Sequence, residues 1–277
     1  MSIDLHIHTT ASDGTVDPVQ IVNMAAETGL KIIALADHET TSGFRPAFTE
    51  AQKAGITVLP AVELLTYYKG YEVHLLGYFT SPDNKHLQNQ LAELRYQRTI
   101  CSKATVEKLI ECGFKINWND IIAQNQQDIT VSKGHIMRAL RNAGYIKSRE
   151  DALKFLAKYL NRDGLAYSIH DYSFEDGVKL ITETGGLPVL AHPGLIWNDD
   201  IVKELCDKGI KGIEVFYYYF GPHREENIQC YKNLATEKKL LKTGGTDYHG
   251  QVSAIQLGCQ YVPFEEVKDF LYLFGIK

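Results

Sequence analysis

Seven short runs rich in isoleucine, valine and leucine recur along this chain, and amphipathic segments separate most of them. The runs are Ser2–Ile7, Lys31–Ala36, Ile56–Ala61, Tyr71–Tyr78, Leu187–Ala191, Lys211–Phe216 and Leu240–Thr243. Strands that alternate with helices favour parallel β/α units, and seven units favour a barrel over an open sheet. We therefore predict an α/β protein built on a (β/α)7 barrel, with an open doubly wound sheet as the alternative.

The segment after the first run carries the signals of a helix that packs on the sheet. Asp17 suits the N-cap, Pro18 suits the first helical position and Gly29 suits the stop. The apolar side chains predicted to face the sheet are Val19, Val22, Met24, Ala25 and Ala26. This helix would form the first crossover of the barrel.

The stretch from about residue 90 to residue 185 interrupts the alternation. Within it, Ser148 is predicted to cap a helix whose apolar residues share one face, and a further helix is predicted from Ser173 to Gly185. We therefore predict a mostly helical insertion between strands four and five. The predicted domains are a barrel catalytic domain of residues 1–90 and 186–277 and a helical insertion (cap) domain of residues 91–185.

Composition limits the class of protein. At 277 residues and 44% hydrophobic, the chain can bury a sizeable core, and its net charge of −5 gives no reason to expect a protein that coats polyanions. Its five cysteines are scattered, with no C-x-x-C pair, which is typical of reduced thiols in a cytosolic protein. The first strand begins almost at once and no apolar stretch is long enough for a bilayer. We expect a cytoplasmic protein with no signal peptide, no membrane association and no obligate protein partner.

Metal-ligating side chains stand in or after these runs. His6 and His8 are two residues apart, and the period of a β-strand places both imidazoles on one face. The other candidates are Asp13, Asp37, His38, Glu63, His74, His192, Asp247 and His249. In β/α barrels the carboxyl ends of the strands converge on the face where active sites are assembled. Histidine with carboxylate, in the absence of thiolate ligands, favours Mn, Fe or Zn over a structural zinc knot.

Taken in order, these motifs resemble those of the polymerase and histidinol phosphatase (PHP) family of metal-dependent phosphoesterases. The matching segments are Asp4–Thr9, Ser12–Gly14, Ala36–Thr40, Val62–Glu63, Val73–His74, Leu190–Gly194 and Gly245–Gly250. The resemblance implies a distorted, TIM-like (β/α)7 barrel that holds two to three divalent ions (Mn, Fe or Zn). The ligand sets that it implies are His6, His8, Glu63 and Asp247 for the first ion; Glu63, His74 and His192 for the second; and Asp13, His38 and His249 for the third.

The predicted insertion resembles that of the PHP subgroup that acts on nucleotide phosphates, which includes 3′,5′-nucleotide bisphosphate phosphatases and enzymes that trim RNA from its 5′ end. That subgroup usually carries an Arg-Pro-His-Ile element, and this chain has Lys133-Gly134-His135-Ile136. Lysine keeps the positive charge and lacks the bidentate fork of arginine. In the second motif, Ala36 replaces the usual Thr and Glu39 the usual Asp, and neither is a ligand position.

Further site residues are predicted outside the ligand sets. His135 is expected to neutralise phosphate or to protonate the leaving group, and His223 is the second candidate catalytic residue. Substrate binding is predicted for Lys133, His135 and Tyr219. Tyr219 belongs to the aromatic run Tyr217–Phe220, which could stack a nucleobase or pack between the barrel and the insertion. Weaker candidates, for which a solvated surface position is the simpler interpretation, are Arg95, Arg98, Arg138, Arg141, His86 and His170.

The sequence therefore predicts an enzyme, a metal-dependent phosphoesterase. Its expected substrates are phosphate monoesters of small metabolites, above all nucleotides such as 3′,5′-bisphosphonucleosides, attacked by a metal-bound hydroxide. Alternative activities within the family are 5′-to-3′ exonuclease action on short RNA, hydrolysis of a cyclic sugar phosphate, and histidinol phosphatase activity. Because H-x-H on a first barrel strand also opens amidohydrolase sites, cleavage of amides or lactones is a further alternative. A non-catalytic metal-binding module is the remaining interpretation.

Overall fold

The computed structural model describes residues 2–122, 130–168, 171–250 and 255–277, and within them seven strands form one sheet. The strands are β1 (Ser2–Ile7), β2 (Leu30–Leu35), β3 (Thr57–Tyr68), β4 (Tyr71–Tyr78), β5 (Leu187–Leu190), β6 (Gly212–Tyr217) and β7 (Leu241–Gly245). The α-helices are α1 (Pro18–Glu27), α2 (Phe44–Ala54), α3 (Lys85–Glu111), α4 (Trp118–Ile122), α5 (Lys133–Asn142), α6 (Arg149–Phe155), α7 (Phe174–Glu183), α8 (Asp199–Cys206), α9 (Arg224–Glu237) and α10 (Phe264–Tyr272). A π-helical turn, Leu156–Leu160, extends α6, and a 3-10 turn, Pro193–Ile196, precedes α8. No helix within the described ranges is long and apolar enough to cross a membrane.

The strands pair in chain order from β1 to β7, and the pairs are parallel except for β3–β4 and β4–β5. The prediction of parallel units throughout is therefore wrong for β4. The reason is the two-residue turn Lys69-Gly70, whose positive φ angles of 45° and 91° are typical of tight hairpins. Because this hairpin continues the ladder, β3 runs through Glu63 to Tyr68 instead of ending near Ala61.

The first and last strands approach each other and nearly close the sheet into a barrel. The amide of Asp247 donates to the carbonyl of His6 at 2.9 Å, and the amide of His8 donates to the carbonyl of Tyr248 at 2.9 Å. The predicted fold, a distorted seven-stranded α/β barrel with a helical insertion between strands four and five, is confirmed.

Helix α1 shows how the local sequence sets the boundaries of these elements. The side chain of Asp17 accepts a hydrogen bond from the amide of Val19 at 2.8 Å, and Pro18 is the first helical residue. Gly29 has a positive φ of 79° just after the helix. The predicted cap and stop are thus confirmed. The apolar residues of the helix that are completely buried are Ile21, Val22 and Ala25.

The insertion buries an apolar core of its own. That core includes Val106, Leu109, Ile121, Val131, Ile136, Leu140, Ile146, Phe155 and Leu160. Ser148 caps α6 through its side chain, as predicted. Residues at the two ends of the insertion pack into the core of the barrel instead. These residues are Leu87, Leu91 and Leu94 of α3 and Phe174, Val178 and Ile181 of α7. Helix α3 therefore serves both cores, and α7 packs with the barrel.

Candidate metal centre

Strand β1 brings three polar side chains to one face. Asp4, His6 and His8 alternate along the strand, and each is completely buried. Asp4 accepts hydrogen bonds from the amide and hydroxyl of Thr246, at 2.9 and 2.6 Å, and from the amide of Gly258 at 3.0 Å. Burial raises the pKa of Asp4 to about 6, and these donors oppose the rise. Asp4 thus ties β1 to the segment after β7, which carries two predicted ligands.

Three groups of candidate ligand atoms meet next to β1. The groups are His6, His8, Glu63 and Asp247; Glu63, His74 and His192; and His8, Asp13, His38 and His249. Within each group the atoms all lie within 4.8 Å of one another, close enough to surround one ion. The structure therefore brings all the residues of the predicted ligand sets together. Glu63 belongs to two groups, as the resemblance implied, and His8 joins the third group in addition.

In the first group, two ring nitrogens face each other. Nε2 of His6 lies 3.2 Å from Nε2 of His8, which in turn lies 3.0 Å from Oδ1 of Asp247. Nδ1 of His6 lies 3.0 Å from Oε1 of Glu214, and a carboxylate at Nδ1 directs the Nε2 lone pair toward the cluster. Two ring lone pairs would repel at this distance, so the pair is stabilised when a proton or a metal ion binds at these nitrogens.

Glu63 presents each of its oxygens to a different pair of imidazoles. Oε1 lies 2.8 Å from Nδ1 of His74 and 3.0 Å from Nε2 of His192. Oε2 lies 3.1 Å from Nε2 of His8 and 3.3 Å from Nδ1 of His38. A carboxylate in this arrangement is suited to bridge two ions. The extension of β3 past its predicted end is what holds Glu63 in the middle of a strand, beside β4.

The third group is more open. Oδ1 of Asp13 lies 3.3 Å from Nε2 of His249 and 3.8 Å from Nδ1 of His8. Oδ2 of Asp13 lies 3.8 Å from Nε2 of His38. The separations to His8 and His38 are longer than hydrogen bonds, so these atoms surround a space instead of binding one another.

The donor atoms of the cluster fit divalent metal ions. In the described part of the chain, four buried atoms of the cluster form no hydrogen bond, although other cluster atoms lie 3.0–3.8 Å from them: Nδ1 of His8, Oδ1 of Asp13, Nδ1 of His38 and Oδ1 of Asp247. A buried polar atom left unpaired costs about 1–3 kcal/mol, so four of them in one place indicate a missing partner. Imidazole nitrogen and carboxylate oxygen are the ligands that Zn, Mn and Fe accept.

Electrostatics around the cluster also favour bound cations. Burial lowers the pKa values of His8 and His74, yet the neighbouring carboxylates raise them to about 10 and about 9. Burial raises the pKa of each cluster carboxyl, and the facing imidazoles outweigh it, so Asp13, Glu63 and Asp247 keep pKa values well below their usual range. The carboxylates are therefore ionised, and the site attracts positive charge as protons or as metal ions.

Glu214 supports two of the ligands and was not among the predicted residues. It lies on β6 and is completely buried. One oxygen faces Nδ1 of His6 at 3.0 Å, and the other accepts the amide of His192 at 2.8 Å. A sequence signal for this role was available, because Glu214 lies between Ile213 and Val215 in a run predicted to be a buried strand. A carboxylate is rarely buried without a partner.

Glu39, which replaces the usual Asp of the family, binds the insertion. Its two oxygens accept hydrogen bonds from Nη1 of Arg98 at 2.7 and 2.6 Å, and Oε1 also accepts the amide of Leu65 at 2.9 Å. Glu39 and Arg98 are only 2% and 6% exposed. Nη1 of Arg95 donates to the carbonyl of Glu39 at 2.7 Å. Both arginines therefore lie at the junction of barrel and insertion, and Arg98 is neither solvated nor a free phosphate ligand.

Lys133 and His135 lie at the start of α5, and each has a partner. The Lys133 ammonium pairs with the carboxylate of Glu72 on β4, whose other oxygen lies 3.5 Å from Nε2 of His74. His135 is buried, and its Nδ1 accepts the amide of Ser132 at 3.1 Å. Burial lowers the pKa of His135 to about 4. Lys133 thus borders the ligand cluster, whereas a neutral, helix-capping His135 is poorly suited to protonate a leaving group.

Two predicted residues do not join the cluster. The side chain of His223 is 72% exposed and pairs with Glu226 at 2.7 Å. Tyr219 is buried, its hydroxyl accepts the amide of Gly194 at 3.1 Å, and its ring lies against that glycine. These contacts give His223 a surface position and let Tyr219 support the loop after β5; their predicted catalytic and substrate-binding roles stay predictions. The weaker candidate His170 lies outside the described residues.

Comparison with known proteins gives a consistent result. A model of the PHP domain matches residues 4–171. The chain is 30% identical to the phosphoribosyl 1,2-cyclic phosphate 1,2-diphosphodiesterase of Eggerthella lenta, over 91% of this chain and 95% of that protein. It is 30% identical to the 5′-3′ exoribonuclease Rnm of Escherichia coli, over 92% and 87% of the two chains. It is 28% identical to the 3′,5′-nucleoside bisphosphate phosphatase of Chromobacterium violaceum, over 90% and 87%. A solved structure from Bifidobacterium adolescentis, assigned as a metal-dependent phosphoesterase, aligns with a TM-score of 0.85 at 29% identity and covers 99% of this chain and 96% of its own.

Proposed function

Because this chain belongs to the PHP domain family and is a metal-dependent phosphoesterase, we propose that it removes terminal phosphate from nucleotides such as 3′,5′-bisphosphonucleosides. The observation that carries the proposal is the cluster of three ligand groups that share Glu63 and His8. The names of the three relatives all denote cleavage of a phosphate ester borne on a sugar. A phosphorylated ribose unites these activities, and in two of the three names it belongs to a nucleotide or to RNA.

We propose that each of the three groups of candidate ligands binds one metal ion. His6, His8, Glu63 and Asp247 hold the first ion; Glu63, His74 and His192 hold the second; and Asp13, His38 and His249, with His8 adjacent, hold the third. Mn, Fe and Zn all suit these ligands. Bound ions supply Lewis acidity, which polarises phosphoryl oxygens and lowers the pKa of a bound water toward neutrality.

The protein residues around the ions orient the substrate. Glu214 fixes the ring of His6 and the backbone of His192, so these ligands need no rearrangement on binding. Lys133 lies at the border of the cluster, and its ammonium is held by Glu72. An incoming phosphate would compete with the Glu72 carboxylate for that ammonium.

Trp197 is suited to contact the base of a nucleotide. It is 87% exposed and has a positive φ of 56°, which is strained for a residue of this size. The next residue, Asn198, donates from Nδ2 to the hydroxyl of Tyr71 at 2.8 Å. Because Tyr71 starts β4 directly after the hairpin, this contact places Trp197 at the end of the barrel where the ligands lie. Aromatic rings in such positions stack on nucleobases.

A substrate panel tests the proposal. We would load the protein with Mn²⁺ and measure the product proper to each substrate: inorganic phosphate from mononucleotides, 3′,5′-bisphosphonucleosides and histidinol phosphate, mononucleotides from short 5′-phosphorylated RNA, and the ring-opened monoester from a cyclic ribose phosphate. We expect kcat/KM to be about tenfold or more higher for bisphosphonucleosides, a difference of about 1.4 kcal/mol. A preference for RNA would favour the exoribonuclease activity, for which the 30% identity to Rnm is the supporting observation. Cleavage of amides or lactones with phosphate esters untouched would contradict the assignment.

We also propose a cytoplasmic location and no obligate protein partner. The support is the state of the cysteines, all five of which are free thiols. Free thiols are typical of a reducing compartment. Cell fractionation tests the location, and the active protein should be recovered in the cytoplasmic fraction. The purified chain should be active without a second protein.

A further inference from the structure

The ligand groups differ in what holds their residues in place. In the first group, His6 bonds to Glu214, and Asp247 accepts the hydroxyl of Tyr217 at 3.1 Å. In the second group, the amide of His192 donates to Glu214. Glu214 and Tyr217 both lie on strand β6. The barrel itself therefore positions these ligands.

Asp13, in the third group, is held from the insertion. The Ser132 hydroxyl donates to Oδ2 of Asp13, and Nη2 of Arg138 donates to the carbonyl of Asp13 at 2.6 Å. A Cβ atom at Gly134 would lie 2.5 Å from Oδ2, so only glycine lets the start of α5 approach this closely. Three residues in or next to α5 therefore contact Asp13: the cap Ser132, the second helical residue Gly134, and Arg138.

His38 of the same group is also held from the insertion. The hydroxyl of Thr130 donates to the carbonyl of His38 at 3.0 Å. The following residue, Glu39, accepts hydrogen bonds from Arg98 on its side chain and from Arg95 on its backbone carbonyl. Glu39 has a positive φ of 48°, so these contacts also stabilise a strained backbone beside the ligand.

We propose that the helical insertion completes the third metal site, with Ser132, Thr130 and Arg98 acting as positioning residues for Asp13 and His38. The inference rests on the three-ion assignment above. Its consequence is thermodynamic coupling. If docking of the insertion raises the affinity of the third site, occupancy of that site stabilises the docked insertion by the same factor. The first site, which the barrel positions, is expected to bind metal with little dependence on the insertion. Among the described residues, the second site meets the insertion only through the Lys133–Glu72 pair beside His74, and Ser132 and Thr130 are not part of that contact.

A pair of matched serine variants tests this coupling. Ser132 and Ser148 both cap helices of the insertion, and both belong to capping boxes. Ser132 also touches Asp13, whereas the side chain of Ser148 bonds within its own helix start. Replacing either cap costs about 1 kcal/mol of stability. Ser132 is buried and Ser148 is exposed, so the variants share the loss of a cap, and Ser132→Ala alone loses the contact with the ligand.

Metal content of the intact chain is the primary readout. We would titrate Mn²⁺ calorimetrically and count bound ions by elemental analysis in the wild type, Ser132→Ala and Ser148→Ala. We expect three ions in the wild type and in Ser148→Ala. In Ser132→Ala we expect the Kd of one site to rise about 10–100-fold, as is typical when a residue that orients a ligand is removed, with the other two sites unchanged. Thr130→Val, which removes one hydroxyl from the His38 carbonyl, is the second variant if Ser132→Ala does not fold, and the same single site should weaken.

The outcomes separate this inference from the proposed function. Unchanged affinity of all three sites in Ser132→Ala and Thr130→Val would overturn the inference and leave the phosphoesterase intact. Fewer than three ions in the wild type would instead overturn the three-ion assignment. Limited trypsin digestion gives an independent readout: Mn²⁺ at saturation should slow cleavage within the insertion of the wild type, and Ser132→Ala should need correspondingly more Mn²⁺ for the same protection. Cleavage of the wild-type insertion at a rate independent of Mn²⁺ would contradict the coupling.

Discussion

The barrel and the insertion contribute to the site in different ways. The barrel supplies every residue of the three ligand groups, from its strands and the turns that follow them. The insertion supplies none of these residues, but it places Arg98, Ser132 and Lys133 against the carboxylates of Glu39, Asp13 and Glu72. The barrel therefore supplies the candidate metal ligands, while the insertion contacts the carboxylate of Asp13 and carries Lys133, the proposed substrate contact. Each prediction below tests one side of this division.

The largest effect is expected at Glu63, where the barrel joins two ligand groups. Glu63→Gln keeps the shape of the side chain and removes the charge that bridges the groups. We expect kcat/KM to fall about a thousandfold or more, equivalent to roughly 4 kcal/mol of transition-state stabilisation. Elemental analysis should also show fewer bound ions per chain, because both groups lose a charged ligand.

The control for Glu63→Gln is Glu265→Gln. Glu265 pairs with Lys268 on the surface of α10, and its side chain is 77% exposed. Exposed pairs contribute little, so kcat/KM and metal content should stay within about twofold of the wild type. Wild-type metal content in Glu63→Gln would show that the barrel cluster is not built around this carboxylate.

The second-largest effect is expected on the stability of the protein, at the junction of the barrel and the insertion. Arg98→Met leaves the Glu39 carboxylate buried without its cation, and breaking a buried ion pair in this way costs about 3–5 kcal/mol. Denaturant unfolding measures the loss, and Arg45→Met, which breaks an exposed pair with Asp83, should shift the midpoint far less. Adding Glu39→Gln to Arg98→Met should restore part of the stability. Equal shifts for the Arg98 and Arg45 variants would mean that the buried pair does not fasten the insertion.

This division also explains how much could be predicted from the sequence. His6 and His8 could be paired from the sequence because strand periodicity is local: a period of two brings both to one face whatever surrounds them. The grouping of the other candidate ligands was implied by the resemblance to the PHP family. The direction of β4 could not be found from hydrophobic runs, since it depends on the two-residue turn Lys69-Gly70 inside an extended stretch.

Contacts between the regions were the part that sequence patterns could not resolve. Arg98 lies on a long helix, where a solvated face is the usual interpretation, and only docking of α3 onto the barrel buries it against Glu39. The same holds for Tyr219, which follows β6 in an aromatic run yet turns inward onto Gly194. Partners far apart in sequence leave no periodic signal.

The third effect tests whether the insertion contacts the substrate directly. Lys133→Ala removes the cation that borders the cluster. Because a charged hydrogen bond to phosphate contributes about 1.5–3 kcal/mol, we expect KM for a bisphosphonucleoside to rise about tenfold while kcat changes less than about twofold. Lys154→Ala on the exposed side of α6 is the control and should leave both constants unchanged. If KM does not change in Lys133→Ala, the ammonium stays with Glu72 when substrate binds.

The smallest effect concerns Trp197, the one barrel residue assigned to the substrate instead of to the ions. Stacking on a base is worth about 1–3 kcal/mol, and an exposed ring lies at the low end, so Trp197→Ala should raise KM for a nucleotide about fivefold. Ribose 5-phosphate has no base and should be unaffected, and Trp197→Phe should keep most of the affinity.

Fluorescence gives a second test of the same contact. The chain has two tryptophans, so Trp118→Phe leaves Trp197 as the sole indole fluorophore, and a bound nucleotide should quench it. An equal rise in KM for both substrates, or unquenched fluorescence at saturation, would show that Trp197 shapes the loop after β5 and does not contact the base.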